Sequence, residues 1–181
     1  KTEHQHLVIF ENERLGRVMV LDGAVQVTLA DEFVYHEMMT HVPLLALREP
    51  RHVLVIGGGD GGILREVLKH RSIERAVLCE IDRTVIDMSL KHFPEVSAGA
   101  FDDSRVEVIV ADGVKLVGET RRRFDAILVD STDPQGPGAV LFTREFYASC
   151  RRCLPAPRAW CMATRRSRTC CSRRTAVSAC A

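Results

Sequence analysis

Four acidic residues stand where apolar runs give way to polar turns, and their placement suggests a single site. Asp60 lies inside the loop GGGDGG (57–62), Glu80 closes RAVLCE (75–80), Asp112 sits in ADG (111–113), and Asp130 ends FDAILVD (124–130). If the runs are parallel strands, the acids converge, because ligands of an open parallel sheet bind beyond the carboxyl ends of its strands. Carboxylates gathered there can accept from hydroxyls and amines, hold cationic nitrogen, or take up a proton.

An acid about twenty residues beyond a glycine loop commonly binds ribose hydroxyls, and Glu80 has that spacing. Asp112 is placed to accept from an adenine amino group. A nucleoside-containing ligand is therefore expected, and two classes use this layout: dinucleotides and sulfonium compounds of the adenosyl-methionine type. A glycine loop opening a helix ordinarily receives an anion. Here a pyrophosphate would face Asp60 in a poorly solvated place, at a substantial electrostatic cost. A sulfonium nucleoside has no phosphate. Intact adenosyl-methionine still brings its α-carboxylate near the loop. Its decarboxylated form leaves only a cationic amine, for which Asp60 is a purely attractive partner.

These residues need a frame. HLVIFEN alternates apolar and polar, Glu13 to Gly16 makes a turn, and RVMVLDGAVQV carries the hairpin signal Asp22-Gly23, so residues 5–29 read as β-structure. DEFVYHEMMTHVPLLAL reads as a helix with Asp31 as its N-cap and Phe33, Met38, Val42 and Leu45 at helical spacing; Pro43 should kink or divide it. Met38 and Met39 are expected in the core. From His52 onward short apolar runs alternate with helical patterns: HVLVI, GILREVLKH, RAVLC, RTVIDMSLKHF stopped by Pro94, VEVIV, VKLVGETR, FDAILVD and TREFYASCRRC. This alternation predicts an α/β fold, with a parallel sheet covered by helices on both faces. Arg121 to Arg123 read as a solvated helix end.

Composition narrows the function. The chain has 181 residues and a formal net charge of +1, with no apolar run near the length of a membrane span, so neither nucleic acid nor membrane is an expected partner. It opens at Lys1 with no basic-then-apolar leader, and a preceding N-terminal segment is expected. Cys150 and Cys153 form a C-x-x-C pair with no second pair at metal spacing, so they read as two thiols one turn apart, in a reduced, cytoplasmic setting. His4, His6, His41 and His52 show no ligand spacing. After Glu145 no acidic residue follows while arginine accumulates. The stretch from Pro155 on has no periodicity, and no further strand is expected there. A reading-frame shift near Leu154 or a genuine disordered basic tail would each account for it.

The segments LDGAVQ, DEFVYHEMMTHVPL, VLVIGGGDGG, CEID, ADG and DSTDPQGPG, in that order, resemble the bacterial spermidine synthases, the polyamine aminopropyltransferases, over residues 2–154. The resemblance implies a Rossmann-like, methyltransferase-like parallel sheet (31–154) with a small N-terminal β-domain (1–30), followed by an aberrant basic tail (155–181). It implies transfer of the aminopropyl group of decarboxylated adenosyl-methionine to putrescine, in a cytoplasmic homodimer or homotetramer, with no metal and no resident cofactor. By the same resemblance Gln5, Asp60, Glu80, Asp112, Gly113 and Pro137 are donor-site residues. Tyr35, His36, Asp60, Asp130 and Asp133 face the polyamine, and Asp130 is the catalytic base. By itself, a histidine on a helix is more often structural, and an aspartate before proline, such as Asp133, is more often a turn residue. Beyond Leu154, PAPRAW replaces the family's P-G-G turn and strand, so part of the sheet and of the acceptor wall is expected to be missing. An adenosyl-methionine methyltransferase and an inactive truncated paralogue are the other readings.

Overall fold

The computed structural model describes residues 5–131, 136–155 and 160–163. The N-terminal stretch forms a three-stranded antiparallel sheet: β1 (Leu7–Asn12), β2 (Gly16–Leu21) and β3 (Ala24–Thr28). Asn12 makes the first turn by accepting from the backbone N–H groups of Arg14 and Leu15 at 2.9 and 3.0 Å. The second turn is Asp22-Gly23, both with positive φ (48° and 79°), the geometry that matches the twist of a two-residue hairpin.

Next come α1 (Glu32–Leu45), β4 (His52–Gly57), α2 (Gly62–Leu68), β5 (Arg75–Glu80), α3 (Arg83–His92), α4 (Pro94–Ser97), β6 (Val106–Val110), α5 (Gly113–Glu119), β7 (Ala126–Asp130), α6 (Arg144–Cys153) and β8 (Trp160–Ala163). The second sheet is parallel, in the order β6-β5-β4-β7-β8. The central strands β4, β5 and β7 are buried on both faces, as their mostly apolar composition requires, while β6 is only partly buried. Val53, Val55, Ala126 and Leu128 pack beneath α1 and α2, while Leu54, Ile56, Ile127 and Val129 pack against α5 and α6. The chain turns from β4 toward β5 and β6, then returns to place β7 on the other side of β4. The crevice between the ends of β4 and β7 is thus the topological switch point, where such sheets bind ligands.

Several expectations need correction. The sheet does not stop at β7: Trp160–Ala163 pairs in register with Ala126–Val129 as a fifth strand. Its arrival after PAPRA carries no hydrophobic periodicity that a sequence reading could use. Helix α1 buries His36, Met39, Thr40, Pro43 and Leu44, whereas Met38 (58% exposed) and Leu45 (74%) face outward with Phe33 and Val42. The apolar stripe is therefore not the core stripe, because the buried face carries two polar residues. Pro43 neither divides nor ends the helix at once; α1 runs two residues beyond it. Asp31 holds the N-cap position, but its carboxylate accepts from the Thr28 hydroxyl at 2.5 Å and makes no cap bond. Pro94 closes α3 and also opens α4, as the first-turn position allows. Cys150 and Cys153 are free thiols buried in the lower core.

Phe93 is fully buried and joins the small sheet to α3 and α4. It packs with Met19, Leu21 and Val27 of the small sheet and with Val85 and Val96 of α3 and α4. Phe93→Ala should cost about 3–5 kcal/mol. The loss should appear as a lower urea midpoint, together with faster amide exchange across residues 7–28.

Candidate functional site

The loop after β4 is shaped by what approaches it. Gly57 has φ +79°, and a Cβ built on it would lie 1.8 Å from the Asp130 carbonyl oxygen. A side chain there would push apart the ends of β4 and β7, which pair as Gly57 with Asp130. A Cβ on Gly59 would come within 3.1 Å of the Glu80 carboxylate, and one on Gly62 would lie 2.2 Å from the His36 ring. The glycines admit site residues as well as turning the chain.

Gln5, Asp60, Glu80, Asp112, Gly113 and Asp130 line one cleft at the switch point. Asp60 is buried, and its Oδ1 accepts from the Gly62 N–H at 2.8 Å. Glu80 is buried, with Oε1 accepting from the Asp82 N–H at 3.0 Å. Burial pushes its carboxyl up to about 7, with a further push from Asp130, against the pull of the Asp82 and Ile81 amides. Asp112 caps α5 through Val114 N–H at 2.8 Å. Asp130 ends β7, buried, and accepts from the Tyr35 hydroxyl.

Tyr35 and His36 do not line the cleft; they stand behind it. His36 is 1% exposed, packed edge-on to Tyr35, with Nδ1 2.5 Å from Glu32 Oε2 and Nε2 3.5 Å from Asp60 Oδ2. Burial alone would lower its pKa, but Asp60, Glu32 and Asp130 raise it to about 10. Among the described residues, His36, Asp60 and Asp130 bring atoms within 4.8 Å of one another, so a protonated His36 is itself the cation beside the two carboxylates. Asp133 lies outside the described residues. Pro137 falls in the 3₁₀ segment Gly136–Phe142, and its side chain is likewise outside the description.

Sequence reasoning missed other participants. Asp22 and Gln26 of the small sheet also line the cleft. Glu32 and Arg65 brace His36, and the i,i+4 spacing of Glu32 and His36 was the available signal. His41, assigned no role, bridges His70 at 2.9 Å and the buried Glu66 at 3.0 Å.

A parallel α/β sheet with acids at successive strand ends, crossed at its mouth by a small antiparallel sheet, defines a Rossmann-like α/β protein with an acidic cleft at its switch point. The comparisons narrow the class. Residues 32–161 match the spermine/spermidine synthase domain and residues 1–28 the spermidine synthase tetramerisation domain. The chain belongs to the spermine/spermidine synthase family.

It is 62% identical over 154 residues to polyamine aminopropyltransferase 1 of Pseudomonas aeruginosa, and 58% identical over 154 residues to the polyamine aminopropyltransferase of Pseudomonas syringae pv. tomato. Each match covers 85% of this chain and 54% of the relative. The chain thus spans about half the length of the curated relatives it matches. Among solved structures it is similar to a spermidine synthase in complex with the transition-state analogue AdoDATO (TM-score 0.82, 50% identity, 85% of this chain and 53% of that one). It is also similar to the spermidine synthase from Thermotoga maritima (TM-score 0.77, 47% identity, 85% of this chain and 50% of that one). Among the described residues no helix is long and apolar enough to cross a membrane.

Two glycines make a controlled pair. Gly62→Ala must displace the His36 ring and should destabilise by about 1–3 kcal/mol. Gly118→Ala, exposed near the end of α5 with nothing within 4 Å of the new methyl, should be neutral or stabilising by up to about 1 kcal/mol. Denaturant midpoints of the two variants test the pair.

Proposed function

We propose that the cleft binds decarboxylated adenosyl-methionine and that the protein transfers its aminopropyl group to putrescine, giving spermidine and methylthioadenosine. The observation that carries this reading is a buried carboxylate, Asp60, where a phosphate-binding loop would present only amides. A cleft bearing Asp60, Glu80, Asp112 and Asp130 favours sulfonium and ammonium charge over pyrophosphate. The names of the relatives and the AdoDATO complex of the similar spermidine synthase support the same ligand class.

In this reading Glu80 holds the ribose hydroxyls, Asp112 and Gly113 the adenine edge, and Gln5 and Pro137 the rest of the donor. Asp60, Asp133, Tyr35 and His36 serve the amine ends. The acceptor nitrogen attacks the carbon beside the sulfonium. The carbon–sulfur bond breaks, its electron pair returns to sulfur, and neutral methylthioadenosine leaves. The attacking amine has an ordinary pKa near ~10 and must react unprotonated. Asp130 takes the proton released from nitrogen, with the Tyr35 hydroxyl fixing the orientation of its carboxylate. The tetramerisation-domain match supports a homo-oligomer. The free buried thiols support a reducing, cytoplasmic setting.

Calorimetry with decarboxylated and intact adenosyl-methionine tests the donor. The decarboxylated form should bind more tightly, and Asp60→Asn should narrow the difference. Equal or reversed preference in the unmutated protein would favour a methyltransferase. Asp130→Asn should lower turnover by about 10²–10⁴-fold while donor affinity is kept; unchanged turnover would remove Asp130 as the base.

Glu80 makes a separate pH prediction. Its folded pKa, about 7, lies above the ordinary carboxyl value, so the folded protein binds this proton more tightly than the unfolded one. Its ionisation therefore subtracts stability as pH rises from the ordinary value through 7. The donor needs the ionised form as an acceptor. Donor affinity should fall toward tenfold per pH unit below about 7, and Glu80→Gln should abolish that slope.

A further inference from the structure

His36 is tied on both sides. Its Nδ1 meets Glu32 Oε2 at 2.5 Å, and its Nε2, buried and without a hydrogen-bond partner at normal distance, meets Asp60 Oδ2 at 3.5 Å. A neutral ring donating from Nδ1 to Glu32 would turn the Nε2 lone pair toward the Asp60 carboxylate. A neutral ring donating from Nε2 would turn the Nδ1 lone pair onto Glu32. Only the imidazolium satisfies both sides.

Glu32 is itself clamped. Arg65 donates to both of its oxygens, each at 3.0 Å, and to Glu66 through Nε at 2.8 Å. Burial would raise the Glu32 carboxyl, but His36 and Arg65 together bring it below its usual value. The result is a row of alternating charge from the cleft outward: Asp60, His36, Glu32, Arg65, Glu66. The groups facing His36 are Glu32 and Tyr35 on its own helix, Asp60 on the loop before α2, and Asp130 at the end of β7, with Arg65 of α2 acting through Glu32.

We propose that Glu32, held by Arg65, is a positioning residue for the transfer reaction: it fixes the His36 ring as an imidazolium with Nε2–H turned to Asp60, so that Asp60 presents its carboxylate to the amine end of the substrates in one orientation. The kinetic consequence rests on the proposed transferase function; the charge state of His36 does not. With Glu32→Gln the ring loses its anionic partner and becomes neutral at lower pH. A neutral ring presents a lone pair either to Asp60 or to the new amide, and the Asp60 carboxylate is no longer held.

The test has two arms. In the first, nitrogen NMR of the ¹⁵N-histidine-labelled protein follows His36, assigned by its loss in His36→Gln. The unmutated protein should keep the imidazolium pattern to pH about 9, and Glu32→Gln should pass to the neutral form between about pH 6 and 8. In the second, kcat/KM for putrescine is measured from pH 6 to 9. The ratio of Glu32→Gln to the unmutated protein should be about tenfold or more below one at pH 8.5 and recover toward one at pH 6. A merely structural defect would not be repaired by protons. Arg65→Lys, which leaves the Glu32 carboxylate in place, should shift the His36 titration less and in the same direction.

A neutral His36 in the unmutated protein at pH 7.5 overturns the proposal, as does an unshifted titration in Glu32→Gln or a kinetic ratio flat with pH. Absence of aminopropyl transfer in both proteins would refute the transferase reading, while the titration arm would still decide whether Glu32 governs the charge of His36.

Discussion

The approach of β4 to β7 at Gly57 and Asp130 governs the site. Two parallel strands run side by side to their carboxyl ends, and the first must turn away there without a side chain, because the Asp130 carbonyl occupies the space a Cβ would need. That closeness puts Asp130 directly behind the loop that carries Asp60. It also forces the switch point to be narrow, so the acids gather around one cleft instead of lying spread along the sheet edge.

Such gathering is costly, since buried carboxylates lose hydration and repel one another. The structure meets that cost unevenly. Asp60 has the Gly62 amide and the neighbouring His36; Asp130 has the Tyr35 hydroxyl. Glu80 has a backbone amide and, among the described residues, no cationic side chain bonded to it, and burial pushes its carboxyl up to about 7. The acid read as the ribose ligand is thus one whose ionisation the free fold disfavours. Ligand hydroxyls donating to it would supply what the fold withholds, so binding and ionisation at Glu80 are coupled.

The parallel sheet was legible because its strands are short, mostly apolar and followed by acids, and the hairpin because Asp22-Gly23 takes the positive φ values that dipeptide favours. What failed was reading burial from apolar character alone. Helix α1 turns His36 and Thr40 inward and leaves Met38 and Leu45 outside, so the stripe of largest apolar residues marks the wrong face. Strand β8 was missed for the related reason that four residues after a proline-rich stretch have no period to detect; their partner strand, not their composition, makes them a strand. Arg65 carried no signal in the sequence because its two acidic partners stand at Glu32, on another helix, and at its own neighbour Glu66.

Helix α1 is best understood through its polar positions. Glu32, Tyr35 and His36 fall at i, i+3 and i+4, the spacing that puts three side chains on one helical face. That face meets the loop and the β7 end, so one turn of helix delivers a hydroxyl to Asp130 and an imidazole to Asp60. The loop makes room on its side: Gly62 has no side chain where the imidazole lies. The same register carries on to Met39, Thr40, Pro43 and Leu44, which seat the helix against the sheet. The positioning of the two central acids is therefore a property of the helix packing as a whole. A shift of α1 by one residue would bring Phe33 or Val34 onto this face, according to its direction, and would break the Tyr35–Asp130 and His36–Asp60 contacts together.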